Sequence, residues 1–268
     1  FMVTDMLSRD PVRRQADAQN LSAEPEPFVG IEERPQVPRN TLYRGRGDGT
    51  FSEVAWSAGI AATDWSWSPV FLDVDLDGYE DILITTGFER DVQDSDVAEE
   101  IERIRQAKKL SDAEALQLRR RFPSHALPNL AYRNLGGMQF EEWGANWGFD
   151  HHGISQGIAL GDLDNDGDQD VVLNQQNAAA LFLRNDAEAP RIRVQLQGRA
   201  PNTAAVGARI EVQGGPVSQS QGVVAGGRFL SGDAPARTFA ARSASEPLSV
   251  TVTWPDGRQS VRSAVKPG

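Results

Sequence analysis

The stretch Asp162-Leu163-Asp164-Asn165-Asp166-Gly167-Asp168-Gln169-Asp170 has a twin at Asp73-Val74-Asp75-Leu76-Asp77-Gly78-Tyr79-Glu80-Asp81. Both read D-x-D-x-D-G-x-x-D. Carboxylates at loop positions 1, 3, 5 and 9, with a backbone carbonyl at position 7, form the all-oxygen ligand set that Ca²⁺ prefers. The glycine at position 6 permits the sharp turn that brings the later ligands back to the ion. The spacing predicts two Ca²⁺ sites, and the alternative is an acidic turn without metal.

The segments on either side of each acidic stretch indicate strands. An EF-hand needs a bidentate Glu at position 12 and a helix on each side, but position 12 is Ile84 in one copy and Leu173 in the other. Short, partly β-branched apolar runs are typical of strands. Each loop therefore joins two strands, and the Asp at position 9 replaces the missing Glu. The flanking runs are Val70-Phe71-Leu72, Ile82-Leu83-Ile84, Ile158-Ala159-Leu160 and Val171-Val172-Leu173.

Composition restricts the classes of function. The 268 residues contain no cysteine, which excludes disulfides, thiolate metal sites and Cys nucleophiles. The net charge is −11, and it is unevenly distributed, because 4 acidic and 10 basic residues after position 190 leave 34 acidic and 17 basic residues before it. This change in charge indicates two domains. The strongly acidic first part argues against nucleic acid as a partner. No apolar run is long enough to span a membrane.

The acidic stretches belong to a longer repeat. A shift of 89 residues without a gap carries residues 40–86 onto 129–175 and superposes N-x-x-Y-R, a Gly-containing turn, a Phe-centred strand and the acidic hairpin. Four short strands in a unit of this length are typical of β-propeller blades. The first residues, Phe1 to Met6, resemble the strand after the acidic hairpin, so we expect the chain to begin within an earlier blade. Two units and a strand are too few to close a propeller, which predicts further blades outside this sequence.

The connections between the repeated units differ. Residues 7–39 are polar and rich in proline, which predicts a long surface loop. The equivalent connection of the next unit, residues 88–128, is predicted to contain two helices. The first is capped by Asp96 with Glu99 and carries Ile101, Ile104 and Leu110 on one side. The second begins at the capping box of residues 111–114. Insertions on one face of a repeat protein often form its binding face, although this one could simply cover the core.

Alternating strands replace the repeat after residue 190. Segments 192–196, 208–212 and 248–254 alternate apolar and polar residues, and Pro255-Asp256-Gly257 is a strong turn signal before a further strand at 259–261. This pattern predicts a small, mostly antiparallel β domain.

These motifs resemble known families. The acidic loops with their flanking strands resemble FG-GAP or VCBS repeats, the blades of integrin-α-like propellers. The C-terminal part is similar to the ASPIC/UnbV domain through residues 206–210, 226–231 and 252–257. The combination resembles the cartilage acidic protein family and its bacterial relatives. The resemblance implies a secreted, periplasmic or cell-surface calcium-binding module for adhesion or ligand binding, without catalytic activity, whose protein or glycan ligand is unknown.

The expected organisation is all-β, with incomplete propeller blades, a helical insertion and a small C-terminal antiparallel β domain. The end of a preceding blade and a long loop occupy 1–39, two FG-GAP/VCBS-like blades with an insertion at about 91–126 occupy 40–190, and the ASPIC/UnbV-like domain occupies 191–268. The resemblance carries the metal ligands onto Asp73, Asp75, Asp77, Tyr79 and Asp81, and onto Asp162, Asp164, Asp166, Asp168 and Asp170, with Tyr79 and Asp168 contributing carbonyls.

Two further features concern function. The sequence has no G-x-S-x-G elbow, P-loop or H-E-x-x-H motif, so we expect no enzyme, although carbohydrate processing by blades outside this sequence stays open. Five tryptophans, at positions 56, 65, 67, 143 and 147, do not recur under the 89-residue shift, so we expect them to lie outside the repeated core. Aromatic rings outside a core can stack on sugars, so the alternative function is a carbohydrate-binding or carbohydrate-processing protein that uses Trp-lined inserted loops. Packing of these rings beneath the helical insertion is the structural alternative.

Overall fold

The computed structural model of the protein describes residues 1–18 and 38–268. Strands dominate, and the fold is all-β with sheets of the propeller-blade type, as predicted. Before residue 190 the elements are β1 (Met2–Val3), α1 (Pro11–Ala18), β2 (Thr41–Gly45), β3 (Phe51–Glu53), β4 (Ser66–Leu72), β5 (Asp81–Thr86), α2 (Ser95–Ala107), α3 (Asp112–Arg119), β6 (Leu127–Pro128), β7 (Leu130–Asn134), β8 (Phe140–Glu142), β9 (His152–Gly153), β10 (Ser155–Gly161), β11 (Asp170–Gln175) and β12 (Leu181–Leu183).

The sheets are half a repeat out of phase with the sequence units. In the described part of the chain, the blade sheets are β1-β2-β3, β4-β5-β7-β8 and β10-β11-β12, and β6 pairs with β9. Each acidic hairpin therefore pairs with the first strand of the following unit. The register of that pairing is equivalent in all three sheets, through Met2↔Leu42, Leu83↔Ala131 and Val172↔Phe182. Strand β12 is a third copy of that first strand, which the sequence analysis missed.

Successive sheets pack face to face through the acidic hairpins. Side chains alternate between the two faces of a strand. Ile82 and Ile84 of β5 accordingly contribute to a core shared with the first sheet, whereas Leu83 faces a core shared with the third sheet. All six residues of β5 are buried, and its apolar residues Ile82, Leu83 and Ile84 serve both cores.

The connections correct two predictions. Residues 11–18 form α1, so the segment predicted as a loop over 7–39 begins with a helix, and its residues 19–37 lie outside the described part. The cap of α2 is Asp94, whose side chain accepts the backbone N–H of Val97, and not Asp96 with Glu99. Leu110 follows the end of α2. The capping box of Ser111 and Glu114 that opens α3 is confirmed.

The C-terminal part forms two facing sheets, β13-β16 and β15-β14-β17-β18, around a core that contains Ile210 and Phe239. The predicted strands are confirmed, but β15 and β16 were missed. Strand β15 reads Gln-Ser-Gln-Gly and has no apolar periodicity, and β16 is buried throughout, so neither alternates. The strands are β13 (Arg191–Gln195), β14 (Arg209–Gln213), β15 (Gln219–Gly222), β16 (Ala236–Ala240), β17 (Leu248–Thr253) and β18 (Gln259–Val265).

A loop of the C-terminal part docks on the free edge of β10. The backbone N–H of Leu160 donates to Asp233 Oδ1 at 2.9 Å, and the N–H of Ala234 donates to the Leu160 carbonyl at 2.9 Å. Ser231 Oγ accepts the N–H of Ile158 at 3.3 Å. These bonds satisfy backbone groups that an unpaired strand edge would expose.

Candidate metal loops

The first loop, residues 73–81, connects β4 to β5 and is closed by its own first aspartate. The carboxylate of Asp73 accepts the backbone N–H groups of Asp77 at 3.0 Å and Gly78 at 2.9 Å. Gly78 has φ of +96°, a conformation that side-chain-bearing residues rarely adopt. Leu76 is 3 % exposed and anchors the middle of the loop in the interior. These contacts bend the chain so that its carboxylates face one another.

Three carboxylates converge in each loop. One oxygen from each of Asp73, Asp75 and Asp81 lies within 4.8 Å of the others, and the second loop, residues 162–170 between β10 and β11, does the same with Asp162, Asp164 and Asp166. The two sets differ, because the first uses loop positions 1, 3 and 9 and the second uses positions 1, 3 and 5. The side chains of Asp77 and Asp170 lie outside these two groups, and the backbone carbonyls of Tyr79 and Asp168 stay predicted ligands.

The aspartate at position 9 has the same role in both loops. Asp81 accepts the backbone N–H of Val74 at 2.9 Å and that of Asn134 at 2.8 Å. Asp170 repeats these bonds with the N–H groups of Leu163 at 2.7 Å and Asn185 at 2.9 Å. Each position-9 carboxylate thus joins the start of its loop to the next strand of the blade.

The sequence analysis missed the partners on that next strand. Asn134 is the last residue of β7 and donates from Nδ2 to the Glu80 carbonyl at 2.9 Å. Asn185 follows β12 and donates to the carbonyl of Val74 in the preceding loop at 2.9 Å. The signal was present in the sequence, since Tyr132-Arg133-Asn134 and Leu183-Arg184-Asn185 share Arg-Asn. It was overlooked because the third copy lacks the Tyr and the initial Asn.

An arginine from the same motif approaches each loop. Arg133 lies 2.7 Å from Asp75 and 3.6 Å from Asp77, and Arg184 lies 4.0 Å from Asp164. The second loop also contacts Arg191 and Arg193 of β13. These guanidinium groups partly neutralise the carboxylates.

The remaining charge in the loops is not fully compensated. Burial, together with the neighbouring aspartates, raises the pKa of Asp73 to about 8 and that of Asp81 to about 7. In the second loop, burial and then Asp166 raise the pKa of Asp168 to about 7. Buried oxygens of Asp75, Asp162 and Asp168 have no hydrogen-bond partner. Because buried polar atoms are normally paired, these carboxylates are suited to a cation.

The chemistry of the donors fits a hard divalent cation. All side-chain donors in both groups are carboxylate oxygens, which suit Ca²⁺ or Mg²⁺ and not a transition metal that favours imidazole or thiolate. Three carboxylates leave further coordination positions for carbonyls or water. The residues present therefore fit the metal that the loop motif implies.

The tryptophans do not form a single platform. Trp65 stacks on Phe88 with ring centroids 4.1 Å apart, and Trp67 lies 4.7 Å from Phe229, so these rings pack on neighbouring aromatic residues at the base of the insertion and at the docked C-terminal loop. The assignment of all five outside the core was wrong. Trp147 packs on the core between the second and third sheets, and it aligns with Ala58, a core residue of the first unit.

The fold and the loops together define an all-β repeat protein with acidic loops at the turns of its blade hairpins. Comparison with known families agrees with this class: residues 29–84 match the FG-GAP-like repeat, and residues 198–268 match the ASPIC and UnbV family. The protein thus combines an FG-GAP-like repeat with a C-terminal ASPIC/UnbV domain, as its motifs predicted. No curated protein matches the chain significantly. Among the described residues, no helix is long and apolar enough to cross a bilayer.

Proposed function

We propose that this protein is a non-catalytic binding module of the extracellular type whose two acidic loops bind structural Ca²⁺. The observation that carries the proposal is the convergence of three carboxylates in each loop while buried oxygens of Asp75 and Asp162 have no partner. Ionised carboxylates at this separation repel one another, and burial adds a desolvation cost. A divalent cation would remove both penalties, which supports a role in stability.

The chain itself supplies the frame for such an ion. Asp73 is fixed by two backbone N–H groups, and Asp81 is fixed by two others, one from the following strand. Calcium bound between them would supply positive charge that joins the two ends of the hairpin. Because Asp81 also accepts the N–H of Asn134 in β7, calcium binding in the loop would affect the packing of the hairpin on that strand.

The proposed location is outside the cytoplasm, in secreted, periplasmic or cell-surface form. Calcium sites of extracellular modules have dissociation constants on the order of 10⁻⁴ to 10⁻³ M, which suits loops with few carboxylates that are partly paired with arginine. FG-GAP-like repeats and the ASPIC/UnbV domain support an extracellular-type binding module.

Thermal unfolding tests the calcium proposal. At a calcium concentration 100 times the dissociation constant, each site stabilises the folded state by about 2.7 kcal/mol. For a protein of this size, 1 kcal/mol corresponds to roughly 2–4 °C in Tm, so EDTA should lower Tm by roughly 5–10 °C per site. Asp75→Asn combined with Asp164→Asn should abolish the difference. Asp112→Asn with Asp150→Asn, both at exposed positions, is the matched control. An EDTA-insensitive melting curve contradicts structural calcium.

We further propose that the ligand is a protein that contacts the helical insertion. Helix α3 buries none of its residues and α2 buries only Ile101, so this hairpin contributes little to the core. The base of the insertion is closed by the N–H of Phe88, which donates to the His125 carbonyl at 2.9 Å. Replacing residues 94–121 by a Gly-Ser linker should therefore preserve the blade.

Binding assays with this deletion variant test the location. If the variant without residues 94–121 no longer binds a purified protein ligand of the parent protein, the insertion is the contact surface. Unchanged binding contradicts this location. A glycan array addresses the carbohydrate alternative, which the packing of Trp65 and Trp67 on other aromatic rings disfavours. A glycan signal that survives the deletion but is lost with Trp56→Ala, at a 58 % exposed residue, would favour that alternative.

A further inference from the structure

The second acidic loop faces the C-terminal domain, and two arginines of β13 contact it. Arg193 Nε lies 3.2 Å from Asp162 Oδ2. Arg191 Nη2 lies 3.2 Å from Asp166 Oδ2 and 3.4 Å from Asp168 Oδ2. The pair of Arg191 with Asp168 is shielded from solvent, with side chains 11 % and 1 % exposed, whereas Arg193 and Asp166 are each more than a third exposed.

The first loop meets the C-terminal domain in a different way. Its contact there is with Pro216 and Val217, which pack over the turn at Gly78. Its aspartates pair with Arg133 of its own blade. Among the described ion pairs, arginines of the C-terminal domain thus pair with the aspartates of the second loop and not with those of the first.

The electrostatic balance of the loops differs accordingly. Each loop contains five acidic residues. Among the described ion pairs, one arginine meets the aspartates of the first loop, whereas Arg184, Arg191 and Arg193 meet those of the second. Positive charge within a few ångströms of a ligand set opposes the binding of a cation. The same carboxylates cannot contribute fully to an ion and to these guanidinium groups.

We infer that calcium in the second loop competes with docking of the C-terminal domain through Arg191 and Arg193, so that the second loop is the weaker, domain-linked site and the first is the tighter site. This inference rests on the proposed calcium function. Coupling between two binding events is reciprocal. Docking lowers the affinity of the second loop for calcium, and calcium in that loop loosens docking to the same extent.

Two amides report on docking without belonging to either loop. The N–H groups of Leu160 and Ala234 are bonded across the contact between β10 and the C-terminal domain. Their hydrogen exchange measures how often that contact opens. Calcium titration calorimetry on the full chain measures the affinity of each loop when the other is disabled, by Asp75→Asn for the first and Asp164→Asn for the second.

In the Asp75→Asn protein, where only the second loop binds, Arg191→Gln with Arg193→Gln should raise calcium affinity at least about fivefold, at the lower end of typical coupling. Arg209→Gln with Arg258→Gln removes the same charge from exposed sites of the domain and should have no such effect. Asp233→Asn weakens docking at the Leu160 N–H of β10, outside the acidic loop, and should also raise the calcium affinity of the second loop. If the double arginine variant does not fold, the calcium affinity of the Asp233→Asn variant tests the competition instead.

The expected results are tighter calcium binding by the Asp164→Asn protein than by the Asp75→Asn protein, and faster exchange of Leu160 and Ala234 when calcium fills the second loop. If the arginine and Asp233 variants leave the second-loop affinity within about twofold and calcium leaves both amides unchanged, the competition is overturned while calcium binding stands. If none of the proteins, including the parent, binds calcium, the proposed function itself fails and this inference fails with it.

Discussion

The pKa of Asp73 makes a sharp prediction about the metal-free protein. This carboxyl is 5 % exposed, and burial together with the neighbouring aspartates raises its pKa from 3.8 to about 8. A carboxyl whose pKa is higher in the folded state stabilises that state below pH 3.8, and this stabilisation is lost as the pH rises toward 8. Each pH unit in this window corresponds to about 1.4 kcal/mol. Between pH 3.8 and 7 the loss for Asp73 is about 4 kcal/mol.

The substitution Asp73→Asn removes this cost, because asparagine cannot ionise. It weakens the acceptor bonds to the N–H groups of Asp77 and Gly78, at a cost of about 1 kcal/mol. In EDTA at pH 7, the variant should therefore be about 3 kcal/mol more stable than the parent protein. At pH 4 it should be about 0.5 kcal/mol less stable, since ionisation then costs only about half as much as the weakened bonds.

Urea unfolding in EDTA between pH 4 and 7 measures both differences. The two stability curves should cross near about pH 4.5, where the cost of ionisation equals that of the weakened bonds. Asp150→Asn, at an exposed position, is the control. A variant that is less stable than the parent by the same amount at both pH values would refute the argument that buried charge destabilises the empty loop.

Three further substitutions test the packing around the loops. Gly78→Ala should destabilise by more than Gly49→Ala in urea unfolding, because both residues have positive φ but only at Gly78 would a Cβ meet a side chain, 2.9 Å from Val217 Cγ2; equal losses would contradict the contact. Asn185→Ala should lower the free energy of unfolding by about 1 kcal/mol through loss of its bond to Val74, and an unchanged midpoint would remove that role. Ser111→Ala should cost about 1 kcal/mol of local stability in α3, visible as faster exchange of its first-turn amides with the exchange of β5 unaffected.

The hairpins could be predicted because their determinants are local. Nine residues rich in aspartate, with a glycine at position 6, lie between two apolar runs and require a tight loop between strands, and β4–β5 and β10–β11 confirm this. The capping box at Ser111 is equally local and was equally readable. Predictions of helices and strands failed where the sequence pattern was weak or was equally compatible with another type of secondary structure. Helix α1 has only eight residues and lies in a polar segment, and β16 is buried on both faces.

The candidate site was only partly predictable for a related reason. The motif named the aspartates of both loops and let position 9 replace the missing Glu, but it did not distinguish Asp81 as the carboxylate that joins the loop to the next strand. That distinction depends on Asn134, which is 53 residues away from Asp81 in the chain and donates to it only because β7 pairs with β5.

The sequence by itself determined the repeat, the two acidic loops between strands and the separate C-terminal β domain, since composition and short-range spacing specify turns, strand periodicity and charge. Only the tertiary structure decided which carboxylates converge, how the sheets divide the repeats and which arginines neutralise each loop. These features arise from contacts between residues that are distant in the chain, such as Arg193 with Asp162 and Asp233 with Leu160. Strand pairing and domain docking create such contacts, and no local pattern records them.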